Sequence, residues 1–201
     1  MIKLKLSLVI ASLAIFVGAI GQSDWTPITS KDGFLTLRFP SGWVAVDQDS
    51  EAFKKTIEDL RKNNPNMAKM LETADAKSTA LTVFDLNDDP TDGGDNVVVK
   101  IDKNPGITDK QLGEVGKSLM KQLPFTGKKE YKVVDMPVGK TLTYSGDLDT
   151  KLEGGQSIKM QLLGYIYLKA DKLVIVTFTT SNNKMEKVKA TYEKIFRSAK
   201  H

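Results

Sequence analysis

Residues 32–46, DGFLTLRFPSGWVAV, carry the densest pattern in the chain, and the fold is read outward from them. Leu35, Leu37 and Phe39 alternate with Thr36 and Arg38, the two-residue period of a strand with one buried face. Pro40 ends that strand, because proline has no N–H to give a ladder. Ser41-Gly42 makes a corner, and Gly42–Val46 resumes as a second extended piece led by Trp43. A corner of this kind could be a ligand platform. An aromatic beside an apolar run is ordinarily core, so Trp43 is expected to anchor the interior where the chain turns, with Gly42 relaxing the corner.

Downstream the periodicity mixes helix and strand. Phe53, Ile57 and Leu60 have helical spacing, and Asn64 should cap a further turn with Pro65 at its first position. Thr79–Leu86 and Asn96–Ile101 read as strands joined by the polar loop NDDPTDGGD. Thr108 and Gln111 form a capping box before a helix with Leu112, Val115, Leu119 and Leu123 inward. Glu130–Met136, Gly139–Ser145, Ser157–Lys169 and Lys172–Thr180 suit strands, the last two forming a tight hairpin around Ala170-Asp171. Ser181 or Asn182 is expected to cap a final helix carrying Met185, Val188, Tyr192, Ile195 and Phe196 on one face. An antiparallel-rich sheet with helices packed against it buries all these faces, an α+β architecture.

Lys3 and Lys5 precede an apolar run from Leu6 to Ile20 that closes with small residues, the layout of a secretory signal peptide over residues 1–21. That run is shorter than the ~20 residues a spanning helix needs. Residues 22–201 are then expected to form one exported domain with no stable membrane span. The chain has no cysteine, so neither a lipid-modified cysteine nor a disulfide is available. The formal net charge is +4, two of those charges lie in the leader, and the rest are interspersed without a basic block. Such a surface argues against nucleic acid as a partner.

The chemistry is bounded mainly by exclusion. The single histidine, His201, is the last residue of the sequence, where fraying is expected. Without cysteine or an internal histidine, Ser-His-Asp triads, Cys-His dyads and Cys/His zinc, haem or copper sites are unavailable. Gly116-Lys117-Ser118 resembles the tail of a phosphate loop, but the required earlier glycine is replaced by Gln111. The triplet reads instead as an exposed helix face with two tolerated glycines. Asp85, Asn87, Asp89, Asp92 and Asp95 have the alternate spacing of a weak calcium loop over residues 85–96. Pro90 stands where such a loop needs glycine, and Asn96 replaces its closing glutamate, so a solvated turn is the competing reading. Glu51, Glu58, Asp59, Glu72, Glu130 and Asp135 leave a carboxylate-dependent hydrolase open, although none is marked as a general acid. No catalytic residue and no cofactor is assigned.

The whole layout resembles the PsbP-like family of extracytoplasmic proteins, which includes exported bacterial domains of unknown function and shares its fold with a small Ran-binding nuclear protein. The resemblance is carried by Trp25, by DGFLTLRFPSGW, by the hairpin GYIYLKADKLVIVTFTT (164–180) and by the closing YEKIFRSAK (192–200). It implies an α/β/α sandwich around a mainly antiparallel sheet, with Trp25, Phe34, Pro40, Gly42 and Trp43 as structural anchors. It also implies a non-catalytic binding or assembly module whose partner is another extracytoplasmic protein. Bacterial members are often lipoproteins, and the missing cysteine departs from that pattern.

Overall fold

The Pro40-Ser41-Gly42 corner is where the chain passes from one sheet to another. Before it, β1 (Thr26–Thr29) and β2 (Thr36–Phe39) form a two-stranded antiparallel ribbon; after it, β3 (Trp43–Ala45) starts a seven-stranded sheet. The protein is described by a computed structural model covering residues 25–74, 76–89, 94–151, 157–181 and 184–201, so the leader and its cleavage site lie outside the described residues. The remaining elements are α1 (Glu51–Asn63), α2 (Pro65–Thr73), β4 (Leu81–Asp85), β5 (Asn96–Lys103) and α3 (Leu112–Gln122). They are followed by β6 (Phe125–Met136), β7 (Gly139–Lys151), β8 (Ser157–Lys169), β9 (Lys172–Ser181) and α4 (Met185–Arg197). Sheet order is β3-β4-β5-β9-β8-β7-β6, with antiparallel neighbours throughout. Among the described residues no helix is long and apolar enough to cross a membrane.

Strand alternation sorts the helices into two outer layers. On one face Val83, Val97, Val176, Phe178 and Tyr165 pack against Tyr192, Ile195 and Phe196 of α4 and against Leu35, Leu37 and Phe39 of the ribbon. On the other, Phe84 meets Phe53 and Ile57 of α1 with Met67 and Leu71 of α2. Further along that face Leu142, Tyr144 and Ile166 meet Leu112 and Met120 of α3. The result is an α/β/α sandwich of the α+β class, as the sequence leads one to expect. Helix starts follow their caps: Ser50 Oγ accepts from Phe53 N at 3.1 Å, and Asn64 Oδ1 accepts from Met67 N at 3.2 Å.

An aromatic chain links this core back to the opening stretch. Phe39 touches Trp43 (5.5 Å between centroids), Trp43 meets Tyr192 edge-on (6.3 Å), and Tyr192 stacks on Phe178 (4.7 Å). From Phe178 the chain continues through Tyr165 (5.9 Å), Phe196 (3.9 Å), Tyr167 (5.8 Å) and His201 (5.6 Å) to Phe34 (5.0 Å). Both ends of the chain, Phe34 and Phe39, belong to residues 32–46.

Three expectations are corrected, and one strand is added. His201 does not fray: its Nδ1 lies 3.3 Å from Phe34 O and its Nε2 3.2 Å from the Tyr167 hydroxyl, while Lys200 bridges to Thr36. Burial holds its imidazole below the usual histidine value, against the raising effect of the Phe34 carbonyl. Gly116 is not on an exposed face; an added Cβ would stand 2.4 Å from Tyr131 Cδ2 and 2.8 Å from Leu142 Cδ1. Glycine is there so that α3 can approach β6 and β7 closely. Helix α4 starts after Lys184 with no side-chain cap, because Ser181 is still paired with Met160 in the sheet, and Asn182 lies outside the described residues. The β1 strand, containing Pro27, has no counterpart in the periodicity, since four residues paired on one side carry little pattern.

The corner's glycine is fixed by geometry. Gly42 has φ +94°, and a Cβ there would lie 1.9 Å from Asn87 Nδ2. Gly42→Ala is expected to lower stability by about 1–3 kcal/mol, through backbone strain plus the clash. Adding Asn87→Ala should recover only the steric share, which a double-mutant cycle in urea would measure. Additive losses would show that Asn87 does not press on the corner.

Candidate binding groove

Helix α4 covers the β8–β9 part of its face and leaves the β6–β7 part open. The step between helix and uncovered strands forms a groove of about 420 Å³. One wall is a single line of α4, Met185, Lys189, Glu193 and Arg197, which four-residue spacing places along one side of a helix. The floor is Thr143 and Ser145 of β7 with Gln161, Leu163 and Tyr165 of β8; the far wall is Glu130, Lys132 and Val134 of β6. Alternate residues of these strands face the groove, so its polarity is set by Ser, Thr and Gln standing where the neighbouring strands carry Val and Phe.

Of the five acids lining the groove, three make bonds within the fold, and Glu186 and Glu193 stand on the α4 wall. Asp147 Oδ1 accepts from Gln161 Nε2 at 2.9 Å, and its Oδ2 accepts from Lys128 N at 3.2 Å. That carboxylate holds the register shift between Phe125 and Lys129, satisfying a backbone N–H that the irregularity takes off the ladder. Gly127 leaves it room, since a Cβ there would stand 2.4 Å from Asp147 Oδ2. Glu130 Oε1 accepts from Ser145 Oγ at 3.4 Å, and Asp135 pairs with Lys140 at 2.9 Å. Burial pushes the Tyr165 hydroxyl well above the usual tyrosine range, helped by Glu193 and opposed by Arg197. It therefore stays protonated at the groove floor.

The acidic loop is tied into the fold. Asp85 Oδ1 accepts from Asn87 N at 2.9 Å, and Asn87 Nδ2 donates to Ser41 O at 3.4 Å, so both serve the corner. Asp89 is exposed, and Asp92 lies outside the described residues. Asp95 turns inward beneath α4, only 4% exposed. Its backbone N–H donates to Asp88 Oδ2 at 2.7 Å, and Lys184 pairs with the other Asp88 oxygen. Among the described residues no three acidic, His or Cys side chains are gathered as a metal site. The Asp88–Lys184 pair, 96 positions apart, has no signature in the sequence.

Of the other anchors, Trp25 is half-buried, with Lys194 Nζ 4.3 Å above its ring and its carbonyl accepting from Arg38 Nη2 at 3.0 Å. Phe34 and Pro40 are half-buried, and Trp43 is buried. The sequence reading named Glu130 and Asp135 as acids near a strand but missed the groove around them. The signal available was the polar alternation Thr143, Ser145, Asp147, too polar for a packed core face.

No known family model matches this sequence, and no curated protein sequence does. Solved structures do resemble the fold. LpqN, described as involved in cell envelope biogenesis of Mycobacterium tuberculosis, aligns with TM-score 0.53 and 11% identity over 87% of this chain and 88% of its own. A point mutant of Mog1 aligns at 0.50 and 11%, over 88% of this chain and 95% of its own. A cyanobacterial PsbP from Synechocystis aligns at 0.49 and 14%, over 91% and 95%. The likeness to LpqN and Mog1 is one of fold and singles out no member.

Proposed function

We propose that the chain is an exported, non-catalytic binding or assembly module that holds a segment of a partner protein in the groove between α4 and β6. The observation that carries this reading is the groove itself: a polar floor, charged walls of both signs, and an open side along the edge strand of the sheet. A small-molecule site is typically enclosed and mostly apolar, whereas an extended peptide can lie along an open groove on the sheet face with alternate side chains meeting its floor. A non-catalytic role is supported by the commitment of Asp147, Glu130 and Asp135 to bonds within the fold. Export is supported by the leader-like residues 1–21, and a place outside the cytoplasm fits the cell-envelope role in LpqN's description.

A photo-crosslinking side chain at Lys189 is expected to capture one discrete protein from the exported fraction, whereas the same group at Lys62, on α1 of the opposite layer, captures none. Thr143→Arg, which fills the floor, should reduce that capture at least tenfold without unfolding the chain. Undiminished capture in Thr143→Arg, or recovery of a bound small molecule alone, would overturn the reading.

A further inference from the structure

We propose that two copies of this chain pair edge to edge along β6, antiparallel, with Tyr131 on the two-fold axis. Strand β6 ends the seven-stranded sheet and, among the described residues, has no strand on its outer side. It is 12 residues long and mostly exposed, whereas the opposite edge, β3, has only three residues. A long edge is a pairing template unless something blunts it. The two large apolar side chains left exposed among the described residues, Tyr131 (40%) and Val133 (39%), both stand on this strand, two apart and therefore on one face.

Lysines are the usual guard of such an edge, and β6 carries Lys128, Lys129 and Lys132. Their placement here selects a register instead of forbidding pairing. With Tyr131 opposite Tyr131, Glu130 of each copy faces Lys132 of the other, and Lys129 faces Val133. Two opposite-charge pairs form and no like charges stand directly opposite. The Lys129 ammonium is already drawn to Met120 O at 2.9 Å, away from the seam. Sliding by two residues puts Glu130 against Glu130 in one direction and Lys132 against Lys132 in the other. A one-residue slip opposes residues from different faces of the sheet.

The same arrangement completes the groove. Glu130 and Lys132 form its β6 wall, which is open beyond the edge strand. A two-fold axis normal to the sheet keeps both α4 helices on one side, so two grooves merge into one trough between them. The pairing is isologous and uses up the long edge, so assembly closes at two copies. The register shift between Phe125 and Lys129 leaves only Lys129 to Val133 as the regular seam about the axis, so association is concentration-dependent. This inference does not depend on what the groove binds.

Sedimentation equilibrium of the purified chain is expected to show the mass rising from one copy to two with concentration. Glu130→Lys, which sets lysine against Lys132, should weaken association at least tenfold. Glu130→Lys with Lys132→Glu should restore it, because the swap returns opposite charges to the same positions. The chain has no cysteine, so Tyr131→Cys provides an independent test: it should oxidise to a covalent dimer, while Lys62→Cys should not. A single-copy mass at every concentration, association unchanged in Glu130→Lys, or no rescue by the swap would overturn the pairing, as would Tyr131→Cys crosslinking no faster than Lys62→Cys.

Discussion

Replacing Trp43 with alanine is expected to remove about 3–5 kcal/mol of stability, the cost of deleting a buried large aromatic and leaving a cavity. Trp43 is 8% exposed and sits between Phe39, before the corner, and Tyr192, on the closing helix. The ring therefore joins the ribbon, the sheet and α4, and its loss opens a seam among three elements. Set against the 5–15 kcal/mol typical of a whole domain, the change should lower the urea midpoint severely. Trp43→Phe keeps a ring in the gap and should cost less. A loss under about 1 kcal/mol in Trp43→Ala, alongside lost partner capture, would instead mark the corner as a binding surface.

Asp95→Asn is expected to stabilise the chain at neutral pH, the reverse of what removing a carboxylate usually does. Burial pushes Asp95 from the ordinary 3.8 up to about 6; the Asp88 carboxylate adds to the effect and Thr180 opposes it. That opposition is incomplete, because Asp95 Oδ1 and Thr180 Oγ1 are both buried without completing a hydrogen bond. Lys184, the nearby cation, is paired with Asp88. Tyr192, the remaining titratable group facing the site, is held protonated by burial and by Asp95 itself.

The sign follows from which state binds the proton more tightly. Here the folded value is the higher one, so folded chains hold the proton between about pH 4 and 6 while unfolded chains release it. Below that window both states are protonated and the site costs nothing; stability is lost as pH rises through it. Above it the folded state carries a buried carboxylate at a cost of about 3 kcal/mol. The advantage of Asp95→Asn should therefore grow from near zero at pH 4 to roughly that amount above pH 6. Urea midpoints across the range would measure it. An advantage that did not change with pH, or a loss at pH 7, would show that Asp95 is ionised at no cost.

Much of the secondary structure was legible locally. The alternation of Leu35, Leu37 and Phe39, the Asn64-Pro65 start of α2 and the Ala170-Asp171 hairpin each depend on a few adjacent residues, so their signals survive without tertiary context. The misreadings fall where distant residues decide. Gly116 looked tolerated because Tyr131 and Leu142, which press on it, come from strands later in the chain. His201 looked frayed because its partners, Phe34 and Tyr167, lie far from it in sequence. The groove was missed for the same reason, since its walls are α4 and β6, half a hundred residues apart.

By itself the sequence determined the α+β class, the strand-corner-strand at residues 32–46, and the absence of cysteine and internal histidine, because periodicity, turn chemistry and composition are local or summed properties. Only the tertiary structure decided that the corner joins two sheets, that Asn87 braces Gly42, that Asp95 is buried beside Asp88, and that β6 ends the sheet beside an open groove. Those facts depend on which surfaces meet, and a meeting between elements distant in the chain leaves no periodic trace in either.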